Sequence, residues 1–418
     1  MNILKVQGGK ELEGRVKISG AKNSAVALLP ATLLCDESVN LLNVPDISDT
    51  VALFDILSYL GAKITNLGEE SYKIDVSNIE NKPITDEMSN KLRASYYFMG
   101  ALLGKYKKAV VSYPGGCSIG SRPIDLHLKG FESLGAKIEY EENNIIISAE
   151  ELKGSNIYLD FASVGATINI MLAAVKADGT TIIDNAAREP EIVNIAMFLN
   201  SMGAKITGAG TSTIRIKGVK NMHSSVHEVI PDRIEAGTYT IIGALVGKNL
   251  KIYNIIPEHI EALTSKLKEM GANIEIGPDY LVITKKDEYK PVNVKTLVYP
   301  GFPTDLQQPF SVLLSRCRGK STVEETIFEN RFMHLPELRK MGMVVSLDET
   351  VATFIGPNEL NAAIVNATDL RAGASLVTAA LAAKGVTTIT NIEHILRGYE
   401  GLVEKLQDVG AKIKIEEI

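Results

Sequence analysis

A glycine-containing phrase recurs six times along the chain and restricts the possible folds more than any other feature. It reads YLGAKI at its first appearance and DVGAKI at its last, and its glycines are Gly61, Gly135, Gly203, Gly271, Gly342 and Gly410. Successive glycines are 74, 68, 68, 71 and 68 residues apart. An amphipathic segment ends at each glycine and a short alternating segment follows, which is typical of a helix with a C′ glycine and then a strand. The pattern predicts six copies of one α/β module.

Each copy also has an apolar helix upstream of its amphipathic one, and the predicted order is strand, helix, strand, helix, strand, strand. Segments such as AVALLPATLL and TINIMLAAV are apolar almost all round, so their helices must be buried. A chain of 418 residues exceeds what one hydrophobic core usually supports. We therefore expect two inside-out α/β domains, each with three modules, approximate threefold symmetry, helices inside and sheets outside.

Composition excludes several classes of partner. The net charge is −6, tryptophan is absent and aromatic residues make up 6%, which argues against nucleic acid or an anionic membrane as partner. The charged, alternating N-terminus does not read as a signal peptide, and no apolar run is long enough to span a membrane. Three cysteines, Cys35, Cys117 and Cys317, suit a reducing compartment, so a cytoplasmic location is expected. The close pair His223 and His227 lies in a polar stretch, and we expect it to be solvated and to bind no metal.

Basic residues recur near predicted helix starts, where a cation opposes the helix dipole. They are Lys22, Arg93, Arg233 and Arg371 at first helices, and Arg122, Arg188, Arg331 and Arg397 at second helices. Because pseudo-symmetry points equivalent helix starts to one side of a domain, the set would line a cleft that binds phosphates and carboxylates. The alternative is that individual arginines pair with neighbouring acids such as Asp232, Glu189 and Asp369.

Two further helix starts carry candidates of another kind. FASVGATINIM presents Ser163, Val164 and Gly165, which suits a diphosphate against main-chain amides or an ordinary serine cap. Asp305 in GFPTDLQQPF occupies the place of Asp232 in its own module. It is either an N-cap or a base toward a hydroxyl, and the pattern alone favours the cap.

The loop YPGGCSIGSRPIDLH places Cys117 among glycines, five residues before Arg122. A thiol near an arginine has its thiolate favoured. Such a cysteine suits an acid–base group on a loop that can cover a site, although a loop cysteine can also have no role.

Motifs spread over nearly the whole chain resemble the UDP-N-acetylglucosamine 1-carboxyvinyltransferases, a family of enolpyruvyl transferases. They are SGAKNSAVALLPATLL, YPGGCSIGSRPIDLH, SVGAT, NAAREPEIV, PDRIEAGT, FPTD, ENRFMH, ATDLRA and RGYE, in the family's order. The resemblance implies two inside-out α/β domains of three βαβαββ repeats. One is expected at 22–229, carrying the Cys117 loop, and the other at 1–21 joined to 230–418.

The implied reaction moves enolpyruvate from phosphoenolpyruvate to the 3-hydroxyl of UDP-N-acetylglucosamine by addition–elimination, releasing phosphate. It is the first committed step of peptidoglycan synthesis. Because a cationic site already stabilises the developing charge, no metal and no organic cofactor is expected. Nothing in the sequence indicates a protein partner.

The resemblance also implies residue roles. Cys117 is expected to protonate the enolpyruvate methylene, Asp305 to take the proton of the sugar hydroxyl, and Lys22 to be the third catalytic residue. Phosphoenolpyruvate is expected to contact Lys22, Asn23, Arg122, Arg331, Arg371 and Arg397. UDP-N-acetylglucosamine is expected to contact Arg93, Arg122, Pro123, Ile124, Asp125, Leu126, Ser163, Val164, Gly165, Asp305 and Ile327. Phe161 stands where some relatives carry a lysine, so that one charged contact is absent.

Two other functions remain alternatives. The enolpyruvyl transferase that acts on shikimate 3-phosphate shares the fold, but the PGGC loop is not expected in it. A non-catalytic nucleotide-sugar sensor would be expected to lose Cys117, Asp305 or Lys22, and all three are present.

Overall fold

A computed structural model describes residues 2–91, 93–112 and 123–417, without the side chains of residues 90–93. The strands are β1 (Asn2–Gln7), β2 (Arg15–Lys17), β3 (Ser38–Leu42), β4 (Lys63–Gly68), β5 (Ser71–Asp75), β6 (Lys108–Ser112), β7 (Lys137–Glu141), β8 (Asn144–Ser148), β9 (Asn156–Tyr158), β10 (Thr180–Asp184), β11 (Lys205–Thr207), β12 (Thr213–Lys217), β13 (Ser225–Glu228), β14 (Leu250–Tyr253), β15 (Asn273–Ile276), β16 (Tyr280–Thr284), β17 (Asn293–Lys295), β18 (Gly319–Glu324), β19 (Val345–Asp348), β20 (Val351–Gly356), β21 (Ile364–Asn366), β22 (Val386–Thr390) and β23 (Lys412–Glu417).

The α-helices are α1 (Lys22–Ala31), α2 (Ser48–Tyr59), α3 (Asp86–Lys91), α4 (Tyr97–Tyr106), α5 (Asp125–Ser133), α6 (Val164–Ala174), α7 (Pro190–Ser201), α8 (Arg233–Val246), α9 (Glu261–Glu269), α10 (Thr304–Leu313), α11 (Leu335–Lys340), α12 (Leu370–Ala382), α13 (Glu393–Leu396) and α14 (Leu402–Asp408). Short 3-10 helices span Thr32–Leu34, Arg93–Tyr96, Pro257–Ile260 and Leu314–Arg316. None of the helices within the described residues is long and apolar enough to cross a membrane.

The chain forms two compact units. The first unit contains the described residues between Gly20 and Ile230, and the second joins residues 2–19 to residues 231–417. Each unit has its own hydrophobic core, and no buried apolar residue is shared between the two clusters.

The apolar helices lie inside the units. In the first unit α4 packs against both α1 and α6, and in the second α8, α10 and α12 pack against one another. All residues of α6 from Ala166 to Ala174 are buried, which follows from a sequence without a polar face. The strands that surround these helices alternate between buried and exposed residues, as in β12. This confirms the inside-out arrangement.

The sheets repeat one topology. In the sheet of the third module, β9 runs parallel to β10, while β12 is antiparallel to both β10 and β11. The register places Ile183 opposite Ile157 on one side and Ile214 on the other. The sheet orders are β13-β3-β5-β4, β6-β8-β7 and β11-β12-β10-β9 in the first unit, and β15-β16-β14-β2, β17-β18-β20-β19 and β21-β22-β1-β23 in the second.

Three sheets are completed by strands distant in sequence. Strand β13 pairs in parallel with β3, β2 pairs in parallel with β14, and β1 lies between β22 and β23. The first module of each unit and the last module of the second are therefore closed by a strand from elsewhere in the chain. In the second module, a single parallel bridge between Ile84 and Val111 stands in place of the first strand.

The six repeated glycines have the backbone conformation that the sequence predicted. Their φ angles lie between 84° and 106°, a region that L side chains rarely adopt. Each follows the second helix of its module, so the prediction of C′ glycines is confirmed.

The prediction that His223 and His227 are both solvated is wrong for His227. This residue lies in β13, and its Nε2 atom is 2.9 Å from Asn194 Nδ2. Burial lowers the pKa of His227, although the hydrogen bond with Asn194 opposes that shift. His227 is therefore a structural, hydrogen-bonded residue that ties β13 to α7.

Candidate active site

Lys22 is the first residue of α1, in agreement with the predicted helix start. Its Nζ atom lies 2.7 Å from Asp49 Oδ2, and the two side chains are only 14% and 4% exposed. Asp49 belongs to the first turn of α2, so a nearly buried ion pair joins the starts of two helices. Asn23 follows Lys22 on α1 and is partly exposed.

The start of α6 has the capped geometry that its sequence suggested. Ser163 is the N-cap, and its Oγ accepts a hydrogen bond from Ala166 N at 3.2 Å. Val164 and Gly165 are partly exposed, as is Leu126 at the start of α5, whereas Ile124 is buried and Pro123 and Asp125 are exposed. The cap interpretation of Ser163 is confirmed, and the diphosphate interpretation stays a prediction.

The starts of α5 and α6 lie against each other at Gly165. A Cβ atom added at Gly165 would lie 2.9 Å from Cε1 of His127 and 3.1 Å from the Tyr96 hydroxyl. Any other residue at Gly165 would therefore displace the buried His127 ring or Tyr96. The segments 123–126 and 163–165, both predicted to hold the nucleotide sugar, are thus neighbours in the first unit.

Asn169, which is fully buried on α6, fixes the orientation of His127. Its Oδ1 accepts from Gly100 N at 2.9 Å, so its Nδ2 faces His127 Nδ1 at 2.8 Å. Nδ1 is then the accepting nitrogen and a neutral ring carries its proton on Nε2. The sequence analysis missed Asn169, because nothing in its local pattern distinguishes it from an ordinary helix residue.

Three site predictions concern residues of which the structure describes little or nothing. Cys117 and Arg122 lie outside the described residues, and so does the side chain of Arg93. The backbone of Arg93 begins the 3-10 helix Arg93–Tyr96, which precedes α4. Phe161, which stands where some relatives have a lysine, is 49% exposed.

In the second unit, Asp305 lies between two buried arginines. Arg331 Nη2 donates to Asp305 Oδ1 at 2.5 Å, and Arg371 Nη2 donates to Asp305 Oδ2 at 3.1 Å. The arginine side chains are 3% and 5% exposed, and that of Asp305 is 23% exposed. The three residues, called the Asp305 cluster below, bring together three of the predicted site residues.

The surroundings of Arg371 favour its charged form. Burial is the largest influence and opposes that form, yet the charge of Asp305 and smaller contributions from Tyr399 and Asp232 together outweigh it and raise the pKa of Arg371 above its ordinary value. Arg371 Nη1 also donates to the Tyr399 hydroxyl at 3.2 Å, which lies 2.9 Å from Thr238 Oγ1. The guanidinium is therefore held from two sides.

The structure corrects the cap prediction for Asp305. Asp232 and Asp369 do cap α8 and α12, each accepting two backbone N–H groups. Helix α10 begins instead at Thr304 with Pro303 at the cap position and no side-chain cap. Asp305 lies inside the first turn, so its carboxylate is free of the capping role and pairs with Arg331 and Arg371.

The neighbour-pairing alternative is wrong for Arg371, because Asp369 accepts backbone groups and the arginine reaches Asp305. The predicted helix-start position is wrong for Arg397, which directly follows α13 and stands five residues before α14. Arg397 is partly exposed and carries an interaction of its own.

Ile327 belongs to the segment after β18. Its N–H donates to Glu325 Oε1 at 2.8 Å, and Glu325 is 2% exposed. Glu325 is a second residue that the sequence analysis missed, because its partners are distant in sequence.

The chain has two units of βαβαββ modules with inward helices, and the Asp305 cluster lies at a helix start. This architecture is the fold class of the enolpyruvyl transferases. The enolpyruvyl transferase NikO from Streptomyces tendae has a TM-score of 0.90 at 27% identity and covers 99% of this chain and 98% of its own. EPSP synthase from Acinetobacter baumannii has a TM-score of 0.79 with full coverage of both chains, and at 16% identity this likeness shows the fold alone.

The chain belongs to the EPSP synthase (3-phosphoshikimate 1-carboxyvinyltransferase) family, whose model matches residues 6–406. UDP-N-acetylglucosamine 1-carboxyvinyltransferase 2 of Bacillus subtilis (strain 168) is 54% identical over 414 residues, covering 99% of this chain and 96% of the relative. UDP-N-acetylglucosamine 1-carboxyvinyltransferase 1 of Staphylococcus haemolyticus (strain JCSC1435) is 53% identical, covering 100% and 99%. The family resemblance recognised in the sequence is confirmed.

Proposed function

We propose that this chain is a transferase that moves enolpyruvate from phosphoenolpyruvate to the 3-hydroxyl of UDP-N-acetylglucosamine. Full-length relatives at 51–54% identity carry that activity in their names. The structural observation that supports it is the Asp305 cluster, in which one carboxylate and two buried guanidinium groups meet. The reaction opens peptidoglycan synthesis, and the proposed location is the cytoplasm.

The Asp305 cluster supplies a base and anion-binding groups in one place. The sugar 3-hydroxyl gives its proton to the Asp305 carboxylate, and its oxygen attacks C2 of phosphoenolpyruvate. Guanidinium groups bind carboxylate and phosphate through paired N–H donors, so Arg331 and Arg371 hold the anionic groups of phosphoenolpyruvate, with Arg397. In the resting protein both arginines are engaged with Asp305, and an incoming anion competes for them.

Lys22 and Asn23 are proposed to contact phosphoenolpyruvate from the start of α1, with Arg122. Asp49 holds the Lys22 ammonium at 2.7 Å, which orients the charge and limits the motion of a long side chain. Cys117 is the proposed acid that protonates the methylene carbon in the addition step. Elimination of phosphate with loss of a proton from the resulting methyl group then gives the enolpyruvyl ether.

The nucleotide sugar is proposed to bind at the adjoining starts of α5 and α6. Exposed main-chain N–H groups at a helix start bind phosphate oxygens, which suits Ser163, Val164 and Gly165 beside Pro123, Ile124, Asp125 and Leu126. The proposed contacts with the nucleotide sugar also include Arg93, Arg122, Asp305 and Ile327. The buried pair of His127 and Asn169 supports this surface from below.

A phosphate-release assay tests the proposal. Phosphate should appear only when phosphoenolpyruvate and UDP-N-acetylglucosamine are both present, and shikimate 3-phosphate should not replace the nucleotide sugar. Phosphate release from phosphoenolpyruvate without any acceptor, or with shikimate 3-phosphate as the acceptor in place of the nucleotide sugar, would contradict the proposed substrate. The proposal includes no metal, so activity should survive a chelator; complete loss on adding one would overturn that part.

A further inference from the structure

We infer that Glu325, which no proposed contact includes, is a positioning residue that sets the place of both Asp305 and Ile327. This inference rests on the proposed function. Glu325 follows β18 and is 2% exposed. A buried carboxylate must have its oxygens satisfied by donors, because an unpaired buried charge is strongly destabilising. The identity of those donors shows what the carboxylate holds in place.

One Glu325 oxygen binds the segment that carries Ile327. Oε1 accepts from the N–H groups of Ile327 at 2.8 Å and Phe328 at 3.3 Å, and from Thr296 Oγ1 at 2.8 Å. Thr296 in turn accepts from Thr326 N and receives the Thr326 hydroxyl on its own carbonyl oxygen. The turn between β18 and Arg331 is therefore built around this carboxylate.

The other oxygen binds the start of α10. Oε2 accepts from Thr304 Oγ1 at 2.8 Å, and Thr304 is the first residue of the helix. Helices α8 and α12 fix their starts with the capping carboxylates of Asp232 and Asp369, whereas α10 has Pro303 at the cap and no side-chain cap. Glu325 instead anchors the first residue of α10 from a distant segment, through the Thr304 hydroxyl.

The consequence is geometric. Asp305 directly follows Thr304, so the contact with Glu325 determines where the proposed base lies relative to the Ile327 backbone. A small displacement of a reacting group is costly, and about 1 Å can lower the rate by about 100-fold. Glu325 thus acts through Thr304 and the 326–328 turn, without touching the substrate.

The experiment compares isosteric and conservative variants of Thr304 and Glu325. Thr304→Val removes the hydroxyl donor and keeps the shape, so kcat should fall by about 10-fold to 100-fold and the KM for UDP-N-acetylglucosamine should rise. Thr304→Ser keeps the donor and should retain kcat within about 3-fold. Glu325→Met, which has a similar length but neither carboxylate oxygen, should lower kcat at least as much as Thr304→Val, because nothing is left to accept from the Thr304 hydroxyl. The matched control is Thr322→Val. The Thr322 hydroxyl contacts Asn293 on the same sheet, and its removal should leave kcat unchanged.

Amide hydrogen exchange gives a second readout that does not need activity. Exchange should accelerate in peptides covering 303–306 and 326–331 of Thr304→Val and Glu325→Met, and stay unchanged in peptides of the first unit. Parental kcat and parental exchange in both variants would overturn the inference. A parent without phosphate release would refute the proposed function instead, and the exchange data would still decide the role of Glu325.

Discussion

Arg371 reaches Asp305 across 66 residues of sequence, with its Nη2 atom 3.1 Å from Asp305 Oδ2. The contact joins the start of α12 to the start of α10, two inner helices of the second unit. Arg331 binds the other carboxylate oxygen at 2.5 Å. The proposed base therefore lies where two buried cations already converge, and its removal would leave both without their shared anion.

Replacing Asp305 by asparagine tests the base role directly. Asp305→Asn keeps the size of the side chain but removes its capacity to accept a proton, so kcat should fall by about 100-fold or more. The measurement is the rate of phosphate release at saturating concentrations of both substrates.

The matched control is Asp160→Asn. Asp160 forms an exposed ion pair with Lys129 at 2.7 Å, and exposed pairs contribute little to stability. Its variant should keep the parental kcat and melting temperature. Parental turnover in Asp305→Asn would show that another group takes the proton.

Lys22→Ala should abolish most turnover, because it removes a cation proposed to face phosphoenolpyruvate; losses of about 100-fold follow removal of one charge-stabilising group. The variant also leaves Asp49, 3% exposed, without its ion-pair partner Lys22, so the melting temperature should fall as well. The double variant Lys22→Ala with Asp49→Asn separates the two effects. It should recover melting temperature but not turnover.

Lys5→Ala serves as control, since Lys5 pairs with Glu416 on an exposed sheet surface. It should change neither quantity. If the double variant regained turnover together with stability, Lys22 would have a structural role only.

Local signals made the fold predictable from the sequence. Each module is recognisable by a helix, a C′ glycine and an alternating strand, and all of these depend on residues within one short window. The strands that complete three sheets, β1, β2 and β13, carried no such signal, because a strand's partner is set by the tertiary fold. Periodicity therefore predicted the modules; the family resemblance implied that residues 1–21 join the second domain, and the structure shows which sheets these strands complete.

The site was predictable in its residue types and less so in its contacts. Asp305 was assigned to a cap because it occupies the place of Asp232 in its own module, yet α10 begins at Thr304, two residues earlier than a cap at Asp305 would require. That shift turns a capping acid into the partner of Arg331 and Arg371. Asp49, Asn169 and Glu325 were missed for one reason: each binds residues brought near by folding, and a single sequence does not reveal such pairs.

His334 should make the protein less stable in acid. Burial lowers the pKa of His334 to about 3, and the charge of Arg331 adds to the effect. The unfolded chain binds this proton near pH 6.5, so stability from the neutral ring is complete above that pH and lost as the pH falls toward 3. The slope contributed by this group approaches about 1.4 kcal/mol per pH unit.

Urea unfolding followed by circular dichroism between pH 7.5 and 5.0 measures this slope. His334→Gln should flatten it relative to the parent, and His223→Gln, which replaces an exposed histidine, should leave it unchanged. Equal slopes in the parent and His334→Gln would contradict the buried neutral state.

The three cysteines should differ sharply in reactivity. Cys35 and Cys317 are buried, and burial raises the pKa of both thiols, that of Cys317 to about 11. A thiol reagent at neutral pH should therefore modify one cysteine in the native protein and three in denaturant, and none in native Cys117→Asp.

Cys117→Ser should be nearly inactive because a hydroxyl is a poor proton donor, while Cys117→Asp should retain activity and resist the epoxide fosfomycin. Phosphate release with and without the epoxide measures this, and a parental rate in Cys117→Ser would remove Cys117 from the mechanism.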